Sequence, residues 1–589
     1  MPRAAWYHRL FELVEDLRRR EDQLALVLSL LIGALVGLIV VAFILITGRL
    51  AAHMYPPGGA GWHRILLPTL GALVSGYLVY RFFPDARGSG IPQTRAAIFI
   101  HDGNISFRTV VGKFLCCSTS LASGIALGRE GPSVHIGAGL ASVIARRLGL
   151  STAQVKWLLP VGASAALAAA FNTPIAAIVF SLEEIMGDMH APILGSVVLS
   201  STTSWMVLHL VLGDEPLFHV AGYSLVRPAE LLAYAALGIV GGLGSVAFVR
   251  LLLELRKAFA RLPKFTVPFQ PVVGGLCVGI LGYYVPAVLG VGYDQVDRAL
   301  SGDLVLHVVI LLAVLKIIAT AVCYSSGNAG GIFGPSLFIG SMMGAAVGHI
   351  AHAAFPHATA GPGAYALVGM GTAFAGVLRT PLTSVIMIFE VTRNYTIIVP
   401  LMISNLIAFY ISQRLQHEPI YEALARQDGL HLPTGAFRQV ARQMRVSAAV
   451  QPAPKPLNVN ATAIEAQRVV DGGRFESWPV ADERGLAGMV RVADITAAIE
   501  ANRGSETIGE LLDPVDPDAT DDESVAHVHA DHPLGLALTR MGATRHAVLP
   551  VVSRANVRVM TGVVTLPDIL RVYGVSGGRA IRGKENAHE

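Results

Sequence analysis

GREGPSVHIG, residues 128–137, sets two charges, Arg129 and Glu130, side by side and follows them with Gly131 and Pro132. The chain around it is oil. ILLPTLGALVSGYLVY (65–80) and FLCCSTSLASGIAL (114–127) precede it, and longer apolar runs follow. What the charges, the glycine and the proline do in such surroundings decides how the chain is read.

Of 589 residues, 53% are hydrophobic and only 15% charged, against about 25% charged in a soluble domain. Leu24–Gly48, Ala191–Leu212, Leu231–Leu253 and Leu304–Cys323 each reach the roughly 18–20 mainly apolar residues that cross a bilayer. This predicts an all-α polytopic membrane protein. The N-terminal HRLFELVEDLRRRED, residues 8–22, reads as a cytoplasmic helix spanning about 1–22, and lacks the pattern of a signal peptide. Arg18, Arg19 and Arg20 before the first span hold it in the cytoplasm by the positive-inside rule. Cys116, Cys117, Cys277 and Cys323 lie in apolar segments without metal or disulfide spacing and read as packing residues.

The apolar part repeats itself. Gly37 and Val41-Ala42-Phe43 recur as Gly242 and Val246-Ala247-Phe248, GPSVHIG from Gly131 as GPSLFIG from Gly334, and Thr173-Pro174…Glu183 as Thr380-Pro381…Glu390. The three matches keep their order, offset by 205, 203 and 207 residues. Duplicated halves, here about 23–215 and 228–425, are a common plan of transporters, with substrate held between them. The sequence leaves open whether the halves run parallel or inverted. Glu183 and Glu390 are equivalent, which suits a shared packing or capping role. Glu184 faces Val391, Glu130 faces Phe333 and Arg129 faces Ile332, so these charges belong to one half alone.

GSGIP (88–92), GREGP (128–132) and GGIFGP (330–335) each precede an interrupted apolar segment. Proline suits a first helical turn, and glycine lets the backbone turn and approach a ligand. Each loop therefore reads as feeding a helix that starts inside the membrane, with free N–H groups and about half a positive charge. Such starts are costly in lipid unless they meet negative charge or line a wet cavity. Three converging would hold a small anion through amides, softly enough to let it pass. Glu130 at one start can take the anion's place when ionised and leave it when protonated; a static capping acid is the plainer alternative. Arg129 supports the site by positive potential or local pairing. His135, one turn beyond, reads as a buried, hydrogen-bonded histidine.

In this order and spacing the three loops resemble the signature loops of the CLC family of chloride channels and chloride/proton exchangers, over roughly residues 20–425. The resemblance implies inverted halves with broken helices and a homodimer with one pore per subunit. It implies chloride held by the Ser89 hydroxyl, the amides of Ile332 and Phe333, and the Tyr421 hydroxyl. Gly88, Gly90, Gly128, Arg129, Gly131, Pro132, Gly331 and Pro335 shape the loops. Glu130 matches the external gating glutamate, Glu184 the internal proton-transfer glutamate of exchangers, and a serine at 89 favours chloride. The implied function is chloride/proton antiport; the alternative is a passive voltage- or pH-gated chloride channel. An enzyme is disfavoured, because no nucleophile–base pair or metal set accompanies Glu130 and Glu184. No metal, cofactor or nucleic acid is expected. The composition suits a bacterial inner membrane, with both termini cytoplasmic.

From about residue 426 the chain turns polar. A linker, 426–456, containing QPAPKP, precedes a soluble α/β tail in which strand-like WPVAD, AGMVRV, AVLPVV and TGVVT alternate with helix-like ATAIEAQRVV and PLGLALTRM. Trp478-Pro479-Val480, Gly488 and Asp494 parallel Leu549-Pro550-Val551, Gly562 and Asp568. These resemble a tandem pair of CBS domains, 457–512 and 513–575, ahead of a terminal segment, 576–589. The resemblance implies an adenine-nucleotide site at Thr565 and Asp568. Arg491 replaces the hydroxyl residue in the first copy, and a structural module without ligand is the alternative.

Overall fold

The computed structural model describes residues 21–572 apart from 57–59, 190–192, 215, 221, 224, 394, 431, 433–443, 474, 513–525 and 545. The expected N-terminal helix, save its last residues, and the terminal segment 576–589 lie outside the described residues. The chain divides into two units at Leu432/Pro433.

The first unit is helical. Its first half runs α1 (Glu21–Met54), α2 (His63–Arg81), α3 (Ile91–Phe99), α4 (Phe107–Ala122), α5 (Glu130–Arg147), α6 (Thr152–Phe171), α7 (Pro174–Phe180) and α8 (Leu194–Leu212). The second half runs α9 (Leu231–Ala260), α10 (Gln270–Tyr284), α11 (Tyr293–Leu300), α12 (Leu306–Ser325), α13 (Phe333–Ala354), α14 (Pro362–Leu378), α15 (Pro381–Thr392) and α16 (Ile398–Leu415), and α17 (Ile420–Gln427) follows. The halves match helix for helix. Among the described residues seven helices are long and apolar enough to span a bilayer, including the four expected.

Burial explains the layering. Helices α6 and α14 are apolar nearly all round and buried along most of their length, so each is the core of its half. Glycine lets them pack closely: Gly137 lies on the Gly162 carbonyl and Gly340 on that of Gly369, where any Cβ would overlap. Outer helices keep apolar side chains exposed, as at Leu210, 80% exposed, which suits contact with lipid. The pairs that pack across the repeat join equivalents, α2 with α10 and α7 with α15.

The second unit holds two similar three-stranded sheets. In one, β2 (Leu457–Asn458) pairs parallel with β3 (Ser477–Asp482), and β3 pairs antiparallel with β4 (Gly485–Arg491), with α18 (Ala463–Val470) and α19 (Val492–Glu500) alongside. In the other, β5 (Val548–Ser553) and β1 (Val450–Gln451) flank β6 (Asn556–Thr565), with α20 (Leu534–Thr544) and α21 (Leu566–Val572). The registers correspond: Pro479 opposite Met489, Pro550 opposite Val563. Part of the stretch expected as a linker, 426–456, belongs to regular structure, and residues 433–443 of it lie outside the described residues. α17 runs to Gln427, and Val450 pairs with Val564 because an apolar β-branched residue completes the second sheet's edge.

Candidate functional site

Glycine and proline place the helix starts. Pro132 and Pro335 stand at the third helical positions of α5 and α13, and Ser133 and Ser336 N–H close the first turns on the carbonyls of Arg129 and Ile332. Both helices start inside the buried core of the membrane unit. Gly128 and Gly331, equivalent in the repeat, exchange N–H···O bonds of 2.7 Å each way, so the GREGP and GGIFGP loops are tied back to back about a local twofold. The GSGIP loop closes on the same point. A methyl group at Gly131 would sit 2.7 Å from the Ser89 carbonyl oxygen and 3.0 Å from its hydroxyl. The three loops share one place.

The Glu130 carboxylate is buried there. As the first residue of α5 it does not cap its own helix: Oε2 accepts from the Gly334 N–H at the start of α13, 3.1 Å away, and Oε1 accepts from the Tyr293 hydroxyl. An acid from one half thus sits on the helix start of the other, where a helix offers unpaired N–H groups and partial positive charge. Arg129 pairs locally, its guanidinium 5.6 Å from the Tyr293 ring centroid. Ile332 and Phe333 flank this seat, and the Phe333 ring is locked among Phe171, Phe180 and Phe374.

Ser89 and Tyr421 are buried, and among the described residues their hydroxyl oxygens meet no hydrogen-bond partner in bonding geometry. Buried hydroxyls without partners are costly. Both belong to one neighbourhood, within reach of each other and of the Glu130 and Glu184 carboxylates. His135 is buried as expected, but among the described residues its Nδ1 finds no hydrogen-bond partner.

Glu184 lies in a single π-type turn, Ser181–Met186, that extends α7. Such turns insert a residue and re-aim side chains. Glu184 is 7% exposed and receives Arg95 Nη1 at 2.7 Å, while Arg95 Nη2 reaches Glu422 at 3.3 Å. The equivalent glutamates Glu183 and Glu390 cap each other's halves. Glu390 accepts from Ile175 and Ala176 N–H at the start of α7, and Glu183 from Leu382 and Thr383 N–H at the start of α15.

Four residues escape a reading of the loops alone: Tyr293, Arg95, Lys113 and Lys316. A fourth repeat match reveals the first. GSG at 88–90 recurs as GVG at 290–292, all four glycines having positive φ, so Tyr293 opens α11 as Ile91 opens α3. The lysines are equivalents too. Lys113 Nζ donates to the carbonyls of Ala86 and Gly88 at 2.8 and 2.7 Å, and Lys316 Nζ to those of Val288 and Gly290 at 3.1 and 2.6 Å. A buried ammonium is costly unless its donors are satisfied; these clamp the two glycine loops.

In the tail, Thr565 Oγ1 donates to Asp568 Oδ2 at 2.6 Å and accepts from Asp568 N–H, and Arg571 pairs with Asp568 at 2.9 Å. Arg491 and Asp494 form the corresponding pair at 2.7 Å. Both copies thus join these positions, by a hydroxyl in one and a guanidinium in the other.

Residues 71–413 match the family model described as voltage gated chloride channel, and residues 521–574 that of the CBS domain. The H(+)/Cl(-) exchange transporters ClcA of Salmonella typhi and Salmonella typhimurium are each 34% identical over 375 residues, covering 62% of this chain and 79% of theirs. A solved slow cyanobacterial Cl−/H+ antiporter is similar at a TM-score of 0.64 and 27% identity, over 69% of this chain and 97% of its own. A eukaryotic CLC transporter, at 0.61 and 21% identity over 94% of this chain and 98% of its own, shows the fold alone. With a match that spans more than half its length, this chain belongs to the voltage gated chloride channel family, the CLC family.

Proposed function

We propose that this chain is a chloride/proton exchanger in which Glu130 and chloride compete for one seat. The observation that carries the reading is the Glu130 carboxylate on the Gly334 N–H of the opposing helix start. Chloride at that level takes its bonds from the amide dipoles around Ile332 and Phe333, and deeper in from the unpaired Ser89 and Tyr421 hydroxyls. A proton arriving from outside neutralises Glu130, which leaves the seat, and chloride enters. On the inner side Glu184 receives that proton and releases it inward. The names of the Salmonella and cyanobacterial relatives, exchange transporters and an antiporter, support exchange over a passive channel.

The test is a pH trace. Purified protein in liposomes under a chloride gradient moves protons uphill; chloride flux without proton movement makes it a channel. Glu130→Ala passes chloride with proton coupling lost. Glu184→Val, the residue of the other half, passes chloride and stops protons; proton pumping at the parent rate removes Glu184 from the path.

The reading includes a homodimer with one pore per subunit, a bacterial inner membrane with both termini in the cytoplasm, and an adenine nucleotide held at Thr565 and Asp568 that shifts transport rate. Sedimentation of the purified protein tests the first. Calorimetric titration of the full chain with ATP, ADP and AMP tests the last, and absence of heat removes it.

A further inference from the structure

Arg95 is a full charge on the short helix α3 and only 3% exposed. The repeat does not require it: counted from Gly90 and Gly292, its equivalent is Asp297, of opposite sign. Its guanidinium bridges two carboxylates on separate elements, Glu184 on the π-type turn at 2.7 Å and Glu422 on α17 at 3.3 Å. Each element carries a residue of the transport path. α3 begins one residue after the Ser89–Gly90 loop, the turn holds Glu184, and α17 holds Tyr421 next to Glu422. Glu184 is faced by Arg95, Glu422, Glu183 and Tyr421. Glu422 is the more exposed carboxylate, at 14% against 8% for Glu184's side chain.

We propose that Arg95 is a positioning residue that couples proton occupancy of Glu184 to the two hydroxyls of the anion path. This rests on the exchange reading. With Glu184 ionised, the guanidinium divides between the two carboxylates. When Glu184 takes a proton its attraction for the cation falls, and Arg95 pairs wholly with Glu422. That tightens α3 against α17, so Ser89 and Tyr421 shift together as the proton arrives. The planar fork of arginine suits this, because it holds two acceptors at once where a lysine offers a point charge.

The experiment records chloride and proton flux together in liposomes for the parent, Glu422→Gln and the charge-matched Arg95→Gln/Glu422→Gln. Glu422→Gln keeps the buried Arg95–Glu184 pair and deletes the second partner. Protons moved per chloride fall by about twofold or more in both variants while chloride flux continues, the lower end of what such couplings reach. A merely structural role lowers yield or thermal stability and leaves that ratio alone. A parent-like ratio in Glu422→Gln overturns the hand-over, and in the double variant it overturns any role for Arg95. A parent that moves no protons overturns the exchange reading first and this proposal with it.

Discussion

Tyr293→Phe removes one hydroxyl, and its consequence follows from the seat alone. The Glu130 carboxylate holds its place through two donors, the Tyr293 hydroxyl and the Gly334 N–H. A hydrogen bond to a charged group contributes about 1.5–3 kcal/mol. Losing one weakens the carboxylate's hold on the seat by about 10- to 150-fold. In the proposed exchange chloride competes for that seat, so its apparent dissociation constant falls with the competitor's occupancy. It falls until the carboxylate no longer dominates, a floor that Glu130→Ala defines. The measurement is calorimetric titration of chloride into purified protein at neutral pH. The expected result is chloride binding about tenfold tighter or more in Tyr293→Phe, and no effect of Tyr293→Phe in the Glu130→Ala background. The second arm isolates the interaction, since a double-mutant cycle cancels what tyrosine does elsewhere. Chloride affinity unchanged in Tyr293→Phe, or changed equally in both backgrounds, refutes the competition.

Lys316→Met strips the donor from the carbonyls of Val288 and Gly290; each unpaired buried carbonyl costs about 1–3 kcal/mol, so the melting temperature in detergent falls clearly, and a parent-like melt removes the clamp. Glu390→Ala frees two N–H groups at the start of α7, and the helix-start cap is worth about 0.5–2 kcal/mol; stability drops while the proton-to-chloride ratio holds, and a changed ratio shows that capping is not its whole role. In the tail, the N–H and hydroxyl of Thr462 hold the Glu465 carboxyl below its usual range. That contribution is therefore fully present above the ordinary glutamate value of about 4.3 and is lost as the pH falls through the lowered folded value. Amide protection factors at 463–466, corrected for the intrinsic pH dependence of exchange, fall on acidification in the parent, and Glu465→Gln flattens that response.

The loops, the duplication and the acids were legible because their signals are local or periodic. GSGIP, GREGP and GGIFGP carry their glycines and prolines where the helix starts need them. The strands of the tail show as apolar runs between turns. Glu183 and Glu390 read as a shared packing or capping pair from equivalence alone, but that each caps the opposing half depends on α7 packing on α15, which spacing does not encode. Tyr293 and the lysines were within reach of the same repeat, since GVG at 290–292 and Lys316 fall at offsets of 202 and 203 from GSG and Lys113. The Arg95–Glu422 contact spans 327 residues, so only the fold brings it together. β1 is two residues long, too short for a strand pattern, and its pairing with β6 is a tertiary fact.

What the two halves share and what they do not share now separate by kind. The shared pairs, Gly128 with Gly331, Lys113 with Lys316 and Glu183 with Glu390, all bind backbone groups across or within the halves. The unshared positions are the ones the proposed exchange uses: Ser89 against Val291, Arg95 against Asp297, Glu130 against Phe333 and Glu184 against Val391. A symmetric frame with two opposed helix starts offers two equal places for an anion. Placing a titratable acid at one start and a packed phenylalanine at the other makes them unequal, and transport that links a proton to a direction needs that inequality. The aromatic cage of Phe171, Phe180 and Phe374 fixes Phe333 on its side, while Glu130 is fixed by two hydrogen bonds that a proton can loosen. In the proposed exchange only one of the two starts lets go.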